Sequence, residues 1–174
     1  PQLGVQDDDF ERILTWDVDH LEMHSAHASS TPRYIGDIVA RKSVWMKSAS
    51  WLSVSILKTL PQAEIYLEGT GYPINSVIFF LNHWLEGGST NLQFLHFTVT
   101  SDFQLDELMT ELQNKLVPLE KPRVYTSIRE SGTSTYLTGS VYTFENGPEL
   151  RKSDGASATF LKHSFNNLSI AFWK

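Results

Sequence analysis

The chain of 174 residues is 41% hydrophobic and 20% charged, which suits one globular domain with its own core. Its formal net charge of −6 does not favour nucleic acid, and its lack of cysteine excludes disulfides, thiolate nucleophiles and zinc–thiolate centres. No apolar run approaches the roughly 20 residues of a membrane span, and the first residues lack a signal-peptide pattern. We therefore expect a soluble intracellular protein, cytoplasmic or nuclear, without nucleic acid or membrane partners.

The N-terminal stretch predicts a tail before the domain. The chain opens with Pro1 and not with an initiator methionine, so we expect a domain taken from a larger protein. Residues 1–10, which include the acidic run Asp7-Asp8-Asp9, are expected to form a flexible, solvated tail. Residues 1–174 are predicted to form a single domain.

The first predicted strand is DVDHLEMHS, in which apolar and polar residues alternate. Leu21 and Met23 are expected to face the core. His20, Glu22 and His24 are expected to face outward, because successive strand residues point to opposite sides of a sheet.

A less regular stretch leads to a short helix. Residues 35–46 mix apolar and polar side chains without a clean period and are predicted to be strand or irregular structure. Residues 51–60 have the apolar spacing of an amphipathic helix that Pro61 ends. The string AEIYLEG then predicts a strand with Ile65 and Leu67 on one face.

The clearest helix signal covers about residues 74–85. Apolar residues recur there at the spacing of one helical face, namely Val77, Ile78, Leu81, Trp84 and Leu85. Gly87 or Gly88 is predicted to end the helix in the left-handed conformation.

Two strands and a third helix follow. The string LQFLHFTVT is predicted to be a strand, and a helix capped by Ser101 or Asp102 is expected to run to Pro118. RVYTSIRE is predicted to be another strand. One of its faces carries Val124, Thr126 and Ile128, and the other carries Tyr125, Ser127 and Arg129.

A spacing of 30 residues separates Ile65 from Leu95, and the same spacing separates Leu95 from Tyr125. A predicted helix lies in each interval. Recurring strand–helix units of this length indicate a leucine-rich-repeat-like α/β stack with a parallel sheet. The string LQFLHF fits the LxxLxL pattern of such repeats, with Leu92, Leu95 and Phe97 pointing inward.

After residue 130 the pattern changes to β structure rich in glycine, serine and threonine. Segments 135–144, 149–161 and 168–173 are predicted strands, and Ser153-Asp154-Gly155 predicts a hairpin turn within the second. We expect this antiparallel region to cap the stack, with the last strand closing its edge.

Three strings occur in a defined order: WLSVSILKTLPQAEIYLEG, FFLNHWLEGGSTNLQFL and ELRKSDGASATF, with Phe172-Trp173 near the end. They resemble the type 2 F-box-associated domain, which is expanded in nematode F-box proteins. That family has a Trp-Leu helix start before an acidic strand, a His-Trp helix end before a Leu-x-x-Leu strand, and an Arg-x-Asp-Gly hairpin. The likeness covers about residues 45–174. One departure is Lys152-Ser153, because the family often has a second basic residue directly before Asp-Gly.

The resemblance implies a non-catalytic, substrate-recruiting domain of an F-box protein. Its partners would be a target protein to be ubiquitylated and, through an F-box outside this chain, the Skp adaptor of a cullin-RING ubiquitin ligase. The family implies neither catalytic residues nor a cofactor.

Recognition of the target is predicted to use the outward faces of the parallel strands, where aromatic and ionic side chains stand on a rigid scaffold. Ordinary solvated positions, or cover by the C-terminal strands, are the alternatives. The predicted contact residues are His20, Glu22, His24, Tyr66, Glu68, His96, Thr98, Tyr125 and Arg129.

Besides target recruitment, the sequence raises three other interpretations. His20, His24 and His27 have a spacing that would gather metal ligands on a helix, but two of them lie about 13 Å apart on a strand, so no metal site is predicted. An α/β enzyme with a His and carboxylate site is the main alternative, although no nucleotide-binding or nucleophile motif is present. A stand-alone inhibitory binding module is another.

Overall fold

The computed structural model describes residues 12–23, 37–128, 140–163 and 166–174 of this chain. The α-helices that frame the site are α1 (Val54–Leu57), α2 (Ile74–Leu85) and α3 (Leu105–Glu111). The strands are β1 (His20–Met23), β2 (Ser43–Met46), β3 (Glu64–Tyr72), β4 (Phe94–Val99), β5 (Leu116–Pro118), β6 (Arg123–Thr126), β7 (Val141–Phe144), β8 (Pro148–Arg151), β9 (Ser157–Lys162) and β10 (Asn167–Trp173).

Eight strands form one mixed sheet in the order β1-β2-β3-β4-β10-β9-β8-β5. The first four strands are parallel neighbours in chain order. The remaining four join antiparallel, beginning with β10 beside β4. The predicted α/β class is confirmed, and the sheet combines a parallel half with an antiparallel half. Strands β6 and β7 pair with each other in a separate two-stranded ribbon.

The two residues that bound the first 30-residue interval pair with each other on neighbouring strands of the sheet. Ile65 lies opposite Leu95, and the same row continues through Val44 to Leu21. The second interval does not correspond to a register, because Tyr125 lies in β6, outside the sheet. The prediction that RVYTSIRE forms the next parallel strand of the sheet is therefore wrong.

Strand β10 takes the place beside β4. Its apolar alternation puts Leu168 and Ile170 on the helix-covered face, opposite Phe97 and Leu95 of β4. β10 is thus an interior strand, hydrogen-bonded to β4 on one side and to β9 on the other. The prediction that the last strand closes the edge of the sheet is wrong. The predicted hairpin is confirmed between β8 and β9, with Gly155 at a φ of +91° in its turn.

The larger core lies between the helices and one face of the sheet. Leu92, Leu95 and Phe97 all contribute to it, so the predicted inward positions of the LxxLxL pattern are confirmed. The helices contribute apolar side chains that include Leu57, Val77, Phe80, Leu81, Trp84 and Leu108. Among the described residues, no helix has the length and apolarity needed to cross a membrane.

Helix α2 has the predicted bounds and ends in a Schellman motif. The Gly87 N–H donates to the Trp84 carbonyl, and the Gly88 N–H donates to the His83 carbonyl, both at 3.0 Å. Gly87 has a φ of +99°, so it is the residue that provides the left-handed stop. The chain therefore turns from α2 towards β4 within a few residues.

Gly88 leaves space for a neighbouring side chain. A Cβ atom at this position would overlap the imidazole ring of His83. We expect Gly88→Ala to lower the free energy of unfolding by about 2 kcal/mol, as overpacking does in other tight sites. Urea unfolding of Gly88→Ala and of His83→Ala/Gly88→Ala tests this account, since removal of the ring should recover most of the loss. Equal losses in both variants would contradict it.

The other two helices are shorter than predicted. α1 begins only after Ser53, whose hydroxyl oxygen accepts a hydrogen bond from the Ile56 N–H at 3.4 Å. α3 ends at Glu111, and a 3-10 turn follows at Gln113–Lys115. The residues up to Pro118 then form β5, because they pair with the edge of β8 instead of continuing a helix.

Candidate functional site

The sheet face opposite the helices carries a second core, and the β6–β7 ribbon packs on it. Phe94 is at its centre, with ring centroids 4.8 Å from Tyr125 and 4.4 Å from Tyr142. Phe144 of the ribbon packs edge-on against Trp173, at 6.2 Å. The ribbon thus covers the middle of the face that was predicted to be a recognition surface.

The predicted contact residues therefore have mixed positions. Tyr66 is 0% exposed and Tyr125 is 7% exposed, so the prediction that they face outward is wrong. They belong to one buried cluster in which Tyr66 also lies 6.2 Å from the ring of His96. His24 and Arg129, like His27, lie outside the described residues. The other predicted contact residues are partly buried, namely His20, Glu22, Glu68, His96 and Thr98.

The alternation predicted for β6 is correct, but its buried side was assigned wrongly. Tyr125 and Ser127 point into the second core, whereas Val124, Thr126 and Ile128 are exposed. Alternation along a strand divides its residues into two faces, but it does not identify which face is buried. Only the placement of the ribbon over Phe94 decides that.

Glu64 attaches the ribbon to the sheet. Its carboxylate is fully buried and accepts hydrogen bonds from the Tyr125 hydroxyl at 2.6 Å, the Ser127 hydroxyl at 3.0 Å and the Ile128 N–H at 2.7 Å. Among the described residues, no cation pairs with it. Burial, and then the hydrogen bond to Glu64, raise the pKa of Tyr125, which keeps this phenol a donor. This polar cluster was not found by sequence analysis.

A second polar cluster joins two histidines through a serine. The Ser169 hydroxyl, fully buried on β10, lies 2.8 Å from His96 Nδ1 and 2.8 Å from His163 Nε2. Burial lowers the pKa of His96 to about 4, with a smaller contribution from the neighbouring His163. Burial also lowers the pKa of His163. Both imidazoles are therefore neutral at physiological pH, and Ser169 is enclosed between them.

The depressed pKa of His96 predicts acid sensitivity. Since the unfolded chain binds this proton near pH 6.5 and the folded chain near pH 4, stability should fall as pH falls through that window. The expected loss from His96 is about 2 kcal/mol between pH 7.5 and pH 5. Urea unfolding at the two pH values measures it, and His96→Gln should lose about that much less stability on acidification. An identical loss in both proteins would refute this assignment.

An open groove lies at the end of the sheet near the C-terminus of α2. It has a volume of about 470 Å³, and we call it the Trp84 groove. Its floor includes Trp84 and Phe172, whose rings contact each other at 5.2 Å and are almost fully buried. Lys152 and Asp154, from the turn between β8 and β9, line its side. The groove thus joins an aromatic floor to a charged rim.

The position of the rim lysine is specific. Lys152 Nζ lies 4.8 Å from the centroid of the Trp84 ring, within the range of a cation–π contact. The Asp154 carboxylate accepts a hydrogen bond from the Ala156 N–H at 2.9 Å, which holds the turn. The sequence predicted Trp84 on the apolar face of α2, and its burial confirms that position, but no sequence pattern predicted the groove. The string ELRKSDGASATF contributes Lys152 and Asp154 but none of the aromatic residues of the floor.

Comparisons with known proteins identify no relative of this chain. A scan against models of protein families, a search of curated proteins and a search of solved structures each found no match. Within the described residues, no group of three or more histidine, aspartate or glutamate side chains is arranged to hold a metal ion.

Proposed function

We propose that this chain is a non-catalytic protein-binding domain of an F-box protein, which recruits a target protein to a Skp-cullin-F-box ubiquitin ligase. The observation that carries the proposal is the Trp84 groove, an aromatic recess on a sheet and helix scaffold. Concave sites of this volume that combine apolar floors with a few polar groups are typical binding sites. The F-box assignment itself depends on the sequence resemblance described above.

We also propose that the parallel half is a short leucine-rich-repeat-like stack. Two observations support this. Residues of β1 to β4 pair in continuous rows across the sheet, and the helices pack in one core on one face of that sheet. Each of α1 and α2 connects a parallel strand to the next one. The antiparallel half would then act as the cap of the stack.

The enzyme alternative has less support from the same geometry. Its strongest constellation is Ser169 between His96 and His163, an arrangement of the kind that activates nucleophiles. Ser169 is 0% exposed, however, and Glu64 is enclosed beneath the ribbon. A substrate would have to displace packed strands to reach either group.

The proposal is tested in the full-length protein that contains this chain. Affinity purification should yield the Skp adaptor and a target whose ubiquitylation requires the adaptor. Lys152→Glu should lose the target and retain the adaptor. Lys58→Glu is the matched control, because Lys58 also stands over an aromatic ring, Phe79, at 4.0 Å, but does not line the groove. If the adaptor does not co-purify, the F-box role is disproved. If Lys152→Glu recovers as much target as the wild-type protein, the groove is not the binding site.

A further inference from the structure

The charge and shape of the Trp84 groove indicate the kind of segment that it binds. Resting on the proposed function, we propose that the groove binds a short acidic segment of the target protein. One aromatic or large aliphatic side chain of that segment would sit against Trp84 and Phe172, and flanking carboxylates would lie beside Lys152. The occupant is thus a linear protein motif of defined chemistry.

The apolar part of the motif follows from the floor. Trp84 and Phe172 lie side by side, and Leu92 adds an aliphatic surface to the lining. All three belong to the main core, so the floor is held rigidly by the packing beneath it. A volume of about 470 Å³ is ample for one large side chain together with the backbone on either side of it.

The basic side chains at the rim of the groove predict the acidic residues of the motif. Among the described residues, no carboxylate forms an ion pair with Lys152, and its ammonium rests over the Trp84 ring. The exposed Lys174 adds a second positive charge to the groove. Asp154 is the one acidic side chain among the described lining residues, and it accepts a hydrogen bond from the backbone of its own turn. The described lining thus carries two basic side chains and one acidic side chain, on a chain whose formal net charge is −6.

Desolvation explains why this charge would select a partner. A carboxylate placed beside Lys152 gains from the low-dielectric aromatic floor, which strengthens a contact that would be weak on an open surface. A basic segment would bring like charges together at the rim. The resulting discrimination is between acidic and basic motifs that carry the same apolar anchor.

Fluorescence anisotropy with labelled five-residue peptides tests the proposal on the whole chain. The first probe has one phenylalanine flanked on each side by two glutamates. The second replaces that phenylalanine with alanine, and the third replaces the glutamates with lysines. We expect saturable binding of the first probe and at least tenfold weaker binding of the other two. Raising the salt concentration from 50 to 500 mM should weaken binding of the first probe severalfold.

Two charge variants locate the binding site. Lys152→Glu should weaken binding of the acidic probe at least tenfold, whereas Lys58→Glu should change it less than twofold. Amide resonances of Gly155 and Ala156, which line the groove, should shift on titration of the wild-type chain. These shifts report the site without requiring a substitution in the floor, where Trp84 is part of the core.

Three results would overturn this inference. They are no binding at millimolar peptide, equal binding of the acidic and basic probes, and self-association that depends on Lys152, which would make a second copy the occupant. The first two leave the proposed function standing if the full-length protein still loses its target with Lys152→Glu. Conversely, specific binding of the acidic probe without adaptor association would uphold this inference and reject the F-box role.

Discussion

Replacing Glu64 with alanine is expected to lower the free energy of unfolding by about 4 kcal/mol. The substitution removes the acceptor of the Tyr125 hydroxyl, the Ser127 hydroxyl and the Ile128 N–H. A buried donor left without a partner costs roughly 1–3 kcal/mol, and water entering the vacated space recovers part of the sum. The β6–β7 ribbon should therefore become the least protected part of the second core.

Urea unfolding of three variants isolates this effect. Glu64→Gln keeps an acceptor oxygen in nearly the same volume and should cost less than Glu64→Ala. Glu68→Ala is the matched control, since Glu68 lies on the same strand and face but is partly exposed and accepts the indole N–H of Trp45 at 3.1 Å. Its expected cost is about 1 kcal/mol. Similar losses for Glu64→Ala and Glu68→Ala would mean that Glu64 does not hold the ribbon.

Replacing Phe94 with alanine is expected to cost about 3–5 kcal/mol, as truncation of a buried phenylalanine generally does. Phe94 is fully buried, and its ring contacts Tyr66 at 5.4 Å in addition to the two tyrosines of the ribbon. Its removal leaves a cavity between the sheet and the ribbon. The loss should appear in the denaturant midpoint and in the melting temperature.

Phe79→Ala is the control for the same chemical change. Phe79 lies on α2 and is 48% exposed, and its ring contact within the described residues is with Lys58. Its removal should cost no more than about 1 kcal/mol. If the two variants were equally stable, the second core would not contribute to folding, and the face beneath the ribbon would again be available as a recognition surface.

Local patterns were sufficient to predict several elements. The bounds of α2 follow from the spacing of its apolar residues and from Gly87, which ends it within the same stretch of chain. The pairing of Ile65 with Leu95 follows from one strand, helix and strand in succession, whose parallel strands become neighbours. The hairpin at Asp154-Gly155 follows from the backbone freedom of glycine. In each case the determining residues are close in sequence.

The ribbon and the groove depend on contacts between distant segments. Tyr125 and Glu64 are 61 residues apart, and their hydrogen bond forms only because β6 crosses the sheet face instead of extending the sheet. An alternating strand with a tyrosine on one side is compatible with either arrangement. The Trp84 groove combines a helix end, a hairpin turn and the last strand, so no single stretch of sequence contains its pattern.

We expect partner recognition at the Trp84 groove and not on the sheet face beneath the ribbon. Site-specific photo-crosslinking in cells tests this most directly, with p-benzoylphenylalanine placed at Thr90, at Asp154 or at Lys58 of the full-length protein. Thr90 and Asp154 line the groove and leave Lys152 in place. One discrete crosslinked partner is expected from the two groove positions and none from Lys58. Crosslinks of equal yield from all three positions, or none from the groove, would contradict it.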